Sequence, residues 1–178
     1  MEANEFVRKI TELKPDINSF INSEYPREFI ENNIREFNIT EKVIKVMKED
    51  EVLNLIENYD LKDFFFYDFH FLEKEDYYSF DDYFFFAGFD IFIIGLNKKT
   101  LEIVCYDLDN NEIFKKCASN SSNFLDALFH LKTLQTKFLL NEELISLREE
   151  LSLLTAKECA ELAGGQEYVS FYEYILGY

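Results

Sequence analysis

Residues 64–90 read FFFYDFHFLEKEDYYSFDDYFFFAGFD and hold fourteen of the chain's 31 Phe and Tyr residues, interleaved with seven Asp and Glu. Aromatic residues crowded at near-alternate positions fit a pleated surface, where neighbours point to opposite faces and pack against cross-strand partners. Phe64, Phe66, Phe69 and Phe71 keep a broken period of two, so Phe64–Leu72 is expected to be a strand. EKEDYYSFDD, residues 73–82, reads as an exposed connection. Three further strands are expected at Tyr83–Ala87, Ile91–Leu96 and Leu101–Leu108, with Gly88 marking a bend between the first two. Asn97–Thr100 is a polar loop of hairpin length, Asp109–Asn111 is the next turn, and Glu112–Cys117 adds a short strand. Connections this short imply an antiparallel meander.

Both flanks carry the helical period instead. Phe6, Val7, Ile10 and Leu13 share a stripe that stops before Pro15, and Phe29, Ile30, Ile34 and Phe37 form another after Pro26. Thr40 is placed to cap a helix with Val43, Ile44 and Met47 on one face, and Leu53, Ile56 and Tyr59 suggest a short helix after it. Beyond Asn120 a polar cap precedes the stripe Phe124, Leu125, Leu128, Leu131 and Leu134. Asn141 can cap a helix carrying Leu144, Ile145, Leu147 and Leu151. Thr155-Ala-Lys-Glu158 matches a capping box, Gly164-Gly165 a stop, and Phe171–Leu176 a last amphipathic piece. The expected class is α+β, an antiparallel sheet meander packed with N-terminal and C-terminal helices. One domain spans 1–178, helical to about residue 60, sheet over about 61–118 and helical from about 120.

Acidic residues number 35 against 18 Lys and Arg, giving a formal net charge of −17 and a pI near 4.4. Such a chain repels phosphate backbones and anionic bilayers, which argues against nucleic acid and membrane as partners. It attracts basic proteins and speeds their encounter, and the same acidity also serves plain solubility. The N-terminal MEANEFVRKITELK lacks a signal-peptide core, and no apolar run approaches the ~20 residues of a membrane span. Cys105, Cys117 and Cys159 are odd in number and widely spaced, as expected for unpaired thiols in a reducing cytoplasm.

Motifs for chemistry are missing at the decisive positions. Asp107, Asp109 and Asn111 mimic the opening of a calcium loop, but Glu112 stands where the sharp turn needs Gly and Ala118 where a bidentate Glu is needed. A solvated turn is the expected outcome. Cys105 and Cys117 are twelve apart, and neither His70 nor His130 has a ligand at zinc spacing. No G-x-S-x-G elbow or Gly-rich phosphate loop occurs, and 35 carboxylates make any imagined acid–base pair uninformative. No catalytic, metal-ligating or cofactor-binding residue is expected, and an enzyme is not the expected class.

Residues 84–131, FFFAGFDIFIIGLNKKTLEIVCYDLDNNEIFKKCASNSSNFLDALFHL, run in a recognisable order. An aromatic strand reaches a Gly, a second strand ends in a polar turn, and a third ends at Tyr106-Asp107-Leu108. A polar segment then enters a helix through Ser121-Ser122-Asn123-Phe124, with Leu128 completing an S-x-x-F-x-x-x-L start. With ECAELAGGQEYVSFYEYIL at 158–176, the chain resembles the SUKH superfamily (SMI1/KNR4-like) over roughly residues 60–176. Trp, which many relatives place in or near the sheet, is absent, and Phe and Tyr are available to fill that volume.

The resemblance implies a non-catalytic bacterial immunity protein of the cytoplasm. Such a protein binds a cognate polymorphic or contact-delivered toxin, often a nuclease, and occludes its active site. The expected contacts are Glu73, Glu75, Asp76, Asp81 and Asp82, facing the cationic groove of a basic toxin, with Tyr77 and Tyr78 as amphipathic anchors. Against this stands the plain reading of 73–82 as a solvated loop. A general interaction or regulatory domain of the same fold is the alternative function, followed by a carboxylate- or metal-dependent enzyme. Oligomeric state is open.

Overall fold

The computed structural model describes residues 1–21 and 23–178. Two N-terminal helices, α1 (Ala3–Leu13) and α2 (Arg27–Arg35), precede a two-stranded ribbon of β1 (Thr40–Glu41) and β2 (Tyr59–Asp60) that brackets α3 (Glu51–Asn58). The main sheet follows: β3 (Phe65–Phe66), β4 (Phe69–Phe71), β5 (Tyr78–Phe80), β6 (Tyr83–Phe89), β7 (Phe92–Asn97), β8 (Ile103–Asp107) and β9 (Glu112–Ala118). Every pairing is antiparallel, in the order β3-β4-β6-β7-β8-β9, with β5 lying beside β6 on the β4 side. The helices α4 (Ser121–Leu140), α5 (Arg148–Ala163) and α6 (Val169–Ile175) close the chain. The class is α+β.

One face of the sheet meets the helices. Phe69, Phe71, Phe86, Phe89, Ile94 and Cys105 join a core with Phe124, Leu128, Cys159 and Phe171. The five-residue stripe foreseen on α4 is buried throughout, and Asn120 caps it by accepting from Asn123 N at 2.9 Å. Asp50 caps α3 by accepting from Leu53 N at 3.0 Å, and its other oxygen accepts from the Ser121 hydroxyl at 2.7 Å, so two helix starts are tied together. Tyr172, fully buried, donates its hydroxyl to Cys117 O at 2.7 Å and pins α6 to β9.

Lys132 is the one buried Lys or Arg among the described residues, on a mostly apolar helix face. It donates to Glu36 Oε2 at 2.5 Å, Phe65 O at 3.0 Å and Gln135 Oε1 at 2.8 Å, and lies 4.4 Å from the centre of the Phe37 ring. Burial lowers the Lys132 pKa and raises that of Glu36, each against the pull of its partner. All three ammonium protons have acceptors, which is what allows α4, the loop after α2 and β3 to share a buried charge.

Several expectations fail for identifiable reasons. Thr40 starts a strand rather than capping a helix, and Val43, Ile44 and Met47 stand exposed in an irregular loop. That loop is pinned by Asn58, whose carboxamide accepts from Val46 N at 2.7 Å and donates to Val46 O at 2.8 Å. The apolar stripe there has no face to bury. Phe64–Leu72 is a hairpin of two short strands, reversed at Tyr67, which holds a left-handed φ of 49°. Tyr78–Phe80 within the supposed connection is a strand, β5. Gly88 lies inside β6 opposite His70, and the chain reverses at Asp90, with φ 53°. Asn141 caps a 3-10 helix, Glu142–Leu147, whose Ile145 and Leu147 are exposed. Thr155 lies in the middle of α5, so no capping box forms there. Gly164 and Gly165, at φ 123° and 147°, do end α5.

Candidate functional site

The second face of the sheet carries its own aromatic cluster. Tyr78 and Phe80 of β5 pair with Phe85 and Tyr83 of β6, and all four side chains fall on the side opposite the helical core because strand residues alternate. Phe85, Ile93 and Tyr106 are buried here with Leu72 and Tyr83 packed against them, and no helix residue belongs to this cluster. Ring centres lie 5.0 Å apart for Tyr78–Phe85, 5.5 Å for Phe85–Tyr106 and 5.3 Å for Tyr83–Tyr106.

Burial without a covering layer depends on one glycine. Gly95 pairs directly with Phe85, and a Cβ on Gly95 would sit 2.6 Å from Cδ1 and 2.8 Å from Cε1 of the Phe85 ring. The missing side chain lets the ring lie flat across β7 and shields the backbone beneath it. His70 over Gly88 repeats the device, with a Cβ there 2.6 Å from Cε1.

Acid rims this face at the β5–β6 turn. Asp81 is exposed with φ 50°, and Asp82 pairs with Lys99 at 2.7 Å while its carbonyl accepts from Lys98 N at 2.7 Å. At the β8 end, the Tyr106 hydroxyl donates to Asn111 Oδ1 at 2.9 Å. Asp107 accepts from the Asn110 side chain at 2.8 Å and from the Asn110 and Asp109 amides at 3.1 and 3.0 Å. These donors, the Asn110 carboxamide first, hold its carboxyl below the usual aspartate range. Its oxygens serve the turn itself.

The sequence candidates therefore divide between two sides. Tyr78 and Asp81 stand with the exposed aromatic face, and Asp82 beside them is already paired. Glu73, Glu75 and Asp76 are exposed around a 3-10 turn, Lys74–Asp76, whose Lys74 reaches Glu57 at 3.1 Å. Tyr77 is half-buried on the inner side against Phe84, ring centres 5.8 Å apart, and burial first, then the Glu57 and Glu75 charges, push its hydroxyl up to about 12. Phe80, Tyr83, Phe85 and Tyr106 were missed. For Phe80, Tyr83 and Phe85 the signal was the spacing 78/80 and 83/85 around a two-residue Asp81-Asp82 turn; Tyr106, on a distant strand, had none.

Chemically the surface offers aromatic area and carboxylates. The three thiols are buried: Cys105 is pushed up to about 12, and Cys117 and Cys159 are also raised, all chiefly by desolvation. They remain thiols at neutral pH and are poor nucleophiles. His130 contacts Glu158 at 2.7 Å on the helical surface. Among the described residues no cluster of three His, Cys, Asp or Glu is placed to hold a metal ion, and no helix is long and apolar enough to cross a membrane. No protein-family model matches the chain, and neither a curated protein nor a solved structure matches it significantly.

Proposed function

We propose that this chain is a non-catalytic immunity protein of the SUKH superfamily that works in the bacterial cytoplasm. It binds a cognate basic protein toxin, a nuclease being the best fit to the charge, and neutralises it by covering the toxin's active site. The observation that carries the reading is the helix-free sheet face, where exposed Tyr78 and Phe80 adjoin the acidic β5–β6 turn. An amphipathic Tyr ring and an apolar Phe ring beside the exposed carboxylate of Asp81 make a surface suited to a cationic cleft.

The mechanism divides into two steps. The net charge of −17 draws a basic partner in and raises the encounter rate, a contribution screened beyond roughly 8 Å at physiological salt. After contact, Tyr78 and Phe80 lose water against the partner, and the rigid floor of Phe85 and Tyr106 keeps their positions fixed before binding. Pre-set rings cost little entropy to immobilise, so the gain appears as slow dissociation. Carboxylates seated in the toxin's groove then occupy the place of nucleic-acid phosphates.

The test is co-expression with the product of the adjacent gene. The expected result is rescue of growth and a one-to-one complex that survives purification. A toxic neighbour that is neither bound nor neutralised would overturn the reading.

A further inference from the structure

A groove of about 320 Å³ opens away from the sheet face, between α2, the β3–β4 turn and the α4–α5 junction. Its walls are apolar: Tyr25 and Phe29, ring centres 4.9 Å apart, on one side, and Phe138 and Ile145 on the other. Four other grooves on the described residues are each lined by at least two Asp or Glu, and this one by none. In a chain with 35 carboxylates, a groove free of them is a departure that invites an explanation.

Donors converge at its rim instead. Arg148, the first residue of α5, has no ion pair or side-chain hydrogen bond among the described residues, so its guanidinium donors are free. Tyr67 stands beside it, at the left-handed φ of 49°. A bulky residue in that conformation is uncommon and is retained where the surroundings hold it. Burial pushes the Tyr67 hydroxyl up to about 12, so it stays a neutral donor at physiological pH. Gln135 contributes an amide whose one acceptor among the described residues, Glu36, is distant at 3.5 Å. Tyr67 and Arg148 also border a neighbouring groove, whose Asp68 and Asp90 would turn an anion back toward the apolar one.

We propose that the groove bounded by Tyr25, Phe29, Phe138, Tyr67 and Arg148 binds a small apolar carboxylate, its ring or chain between the aromatic walls and its carboxylate on the Arg148 guanidinium and Tyr67 hydroxyl. The size matches the lower end of small-molecule sites, which are mostly apolar with a few fixed polar groups. A guanidinium takes both oxygens of a carboxylate at once, and the charge-assisted bonds set its orientation. The α2 wall is held by a small satellite cluster of Phe20, Ile30 and Leu139, so it can adjust around a guest without disturbing the main core.

The test is protein-observed NMR titration of the full chain with phenylbutyrate and, separately, with its neutral amide. The expected Kd for the acid is about 0.1–2 mM, as for a ligand of this size. Shifts should be confined to the groove, and both the amide and Arg148→Gln should bind about tenfold more weakly or worse. Arg148 is exposed and unpaired, so the variant keeps its fold, which the same spectra report. Equal binding of acid and amide, an unchanged Kd in Arg148→Gln, shifts scattered over the surface, or no saturable binding would each overturn the proposal. None of these outcomes bears on toxin binding, which uses the other side of the sheet.

Discussion

Gly95→Ala tests how the exposed face is built. The new Cβ would lie 2.6 Å from Phe85 Cδ1 and 3.3 Å from the Phe84 carbonyl, so the ring must lift off the strand. Lifting it breaks close contacts with Tyr78 and Tyr106 and returns part of a fully buried ring to water. Complete burial of a Phe is worth about 1.5–3 kcal/mol, and overpacking a close-packed site typically costs about 1–3 kcal/mol. Replacing Gly in a strand recovers roughly 0.5–1 kcal/mol of chain entropy. The net expectation is a loss of about 1–2 kcal/mol. Phe85→Ala alone should cost about 3 kcal/mol, the low end for core Phe, because the surrounding Tyr78, Tyr83 and Tyr106 rings can partly settle into the space it leaves. In that background the clash is gone, and Gly95→Ala should become stabilising by about 0.5–1 kcal/mol. The coupling is therefore about 2 kcal/mol, inside the range for directly touching residues. Urea unfolding of the four proteins measures it, by far-UV circular dichroism since the chain has no Trp. If Gly95→Ala has the same effect with and without the ring, to within about 0.5 kcal/mol, the account of this face is wrong.

Other perturbations probe the helical side. Glu36→Gln leaves Lys132 charged and unpaired in a buried site, and should cost about 3–5 kcal/mol at neutral pH by urea unfolding. Because the folded Lys132 pKa lies below its unfolded value, the unfolded chain binds the extra proton, and that loss should shrink as pH rises toward the unfolded lysine pKa. The buried thiols act in the opposite sense. Their folded pKa values are raised, so stability should fall once pH passes about 9 and the unfolded thiols ionise, by ~1.4 kcal/mol per pH unit for each thiol. Replacing all three by Ala should flatten that slope. Asn58→Ala removes both bonds that fix Val46, and should cost about 1–3 kcal/mol while amide exchange at Val46 accelerates.

Local signals were legible where burial followed pattern. The Asn120 cap and the Phe124–Leu134 stripe defined α4, and Gly164-Gly165 ended α5, because those signals act within one or two turns of chain. Val43, Ile44 and Met47, and likewise Ile145 and Leu147, have helical spacing with nothing to pack against; an apolar stripe shows only that a face could be buried. The β3–β4 hairpin was hidden because Tyr67-Asp68 is not a usual turn pair. At the surface, Tyr78 and Asp81 were legible as exposed aromatic and acid. The alternation sending Tyr77 inward was not, since it required knowing that Tyr78–Phe80 is a strand. Phe85 over Gly95 and Phe85 beside Tyr106 depend on register between strands, which no local stretch encodes.

The measurement closest to the central claim is the affinity of the proposed toxin, once purified, for wild type and for a Tyr78→Ala, Phe80→Ala, Asp81→Lys variant. Two anchors and one reversed charge on one face should weaken binding by about a hundredfold or more, chiefly through faster dissociation, at roughly 1–2 kcal/mol per ring. Tyr78 and Phe80 are more than half buried against β6, so the variant should also lose about 1–3 kcal/mol of stability, and affinity is read where urea unfolding shows it folded. A folded variant with unchanged affinity would show that the proposed toxin does not meet this face.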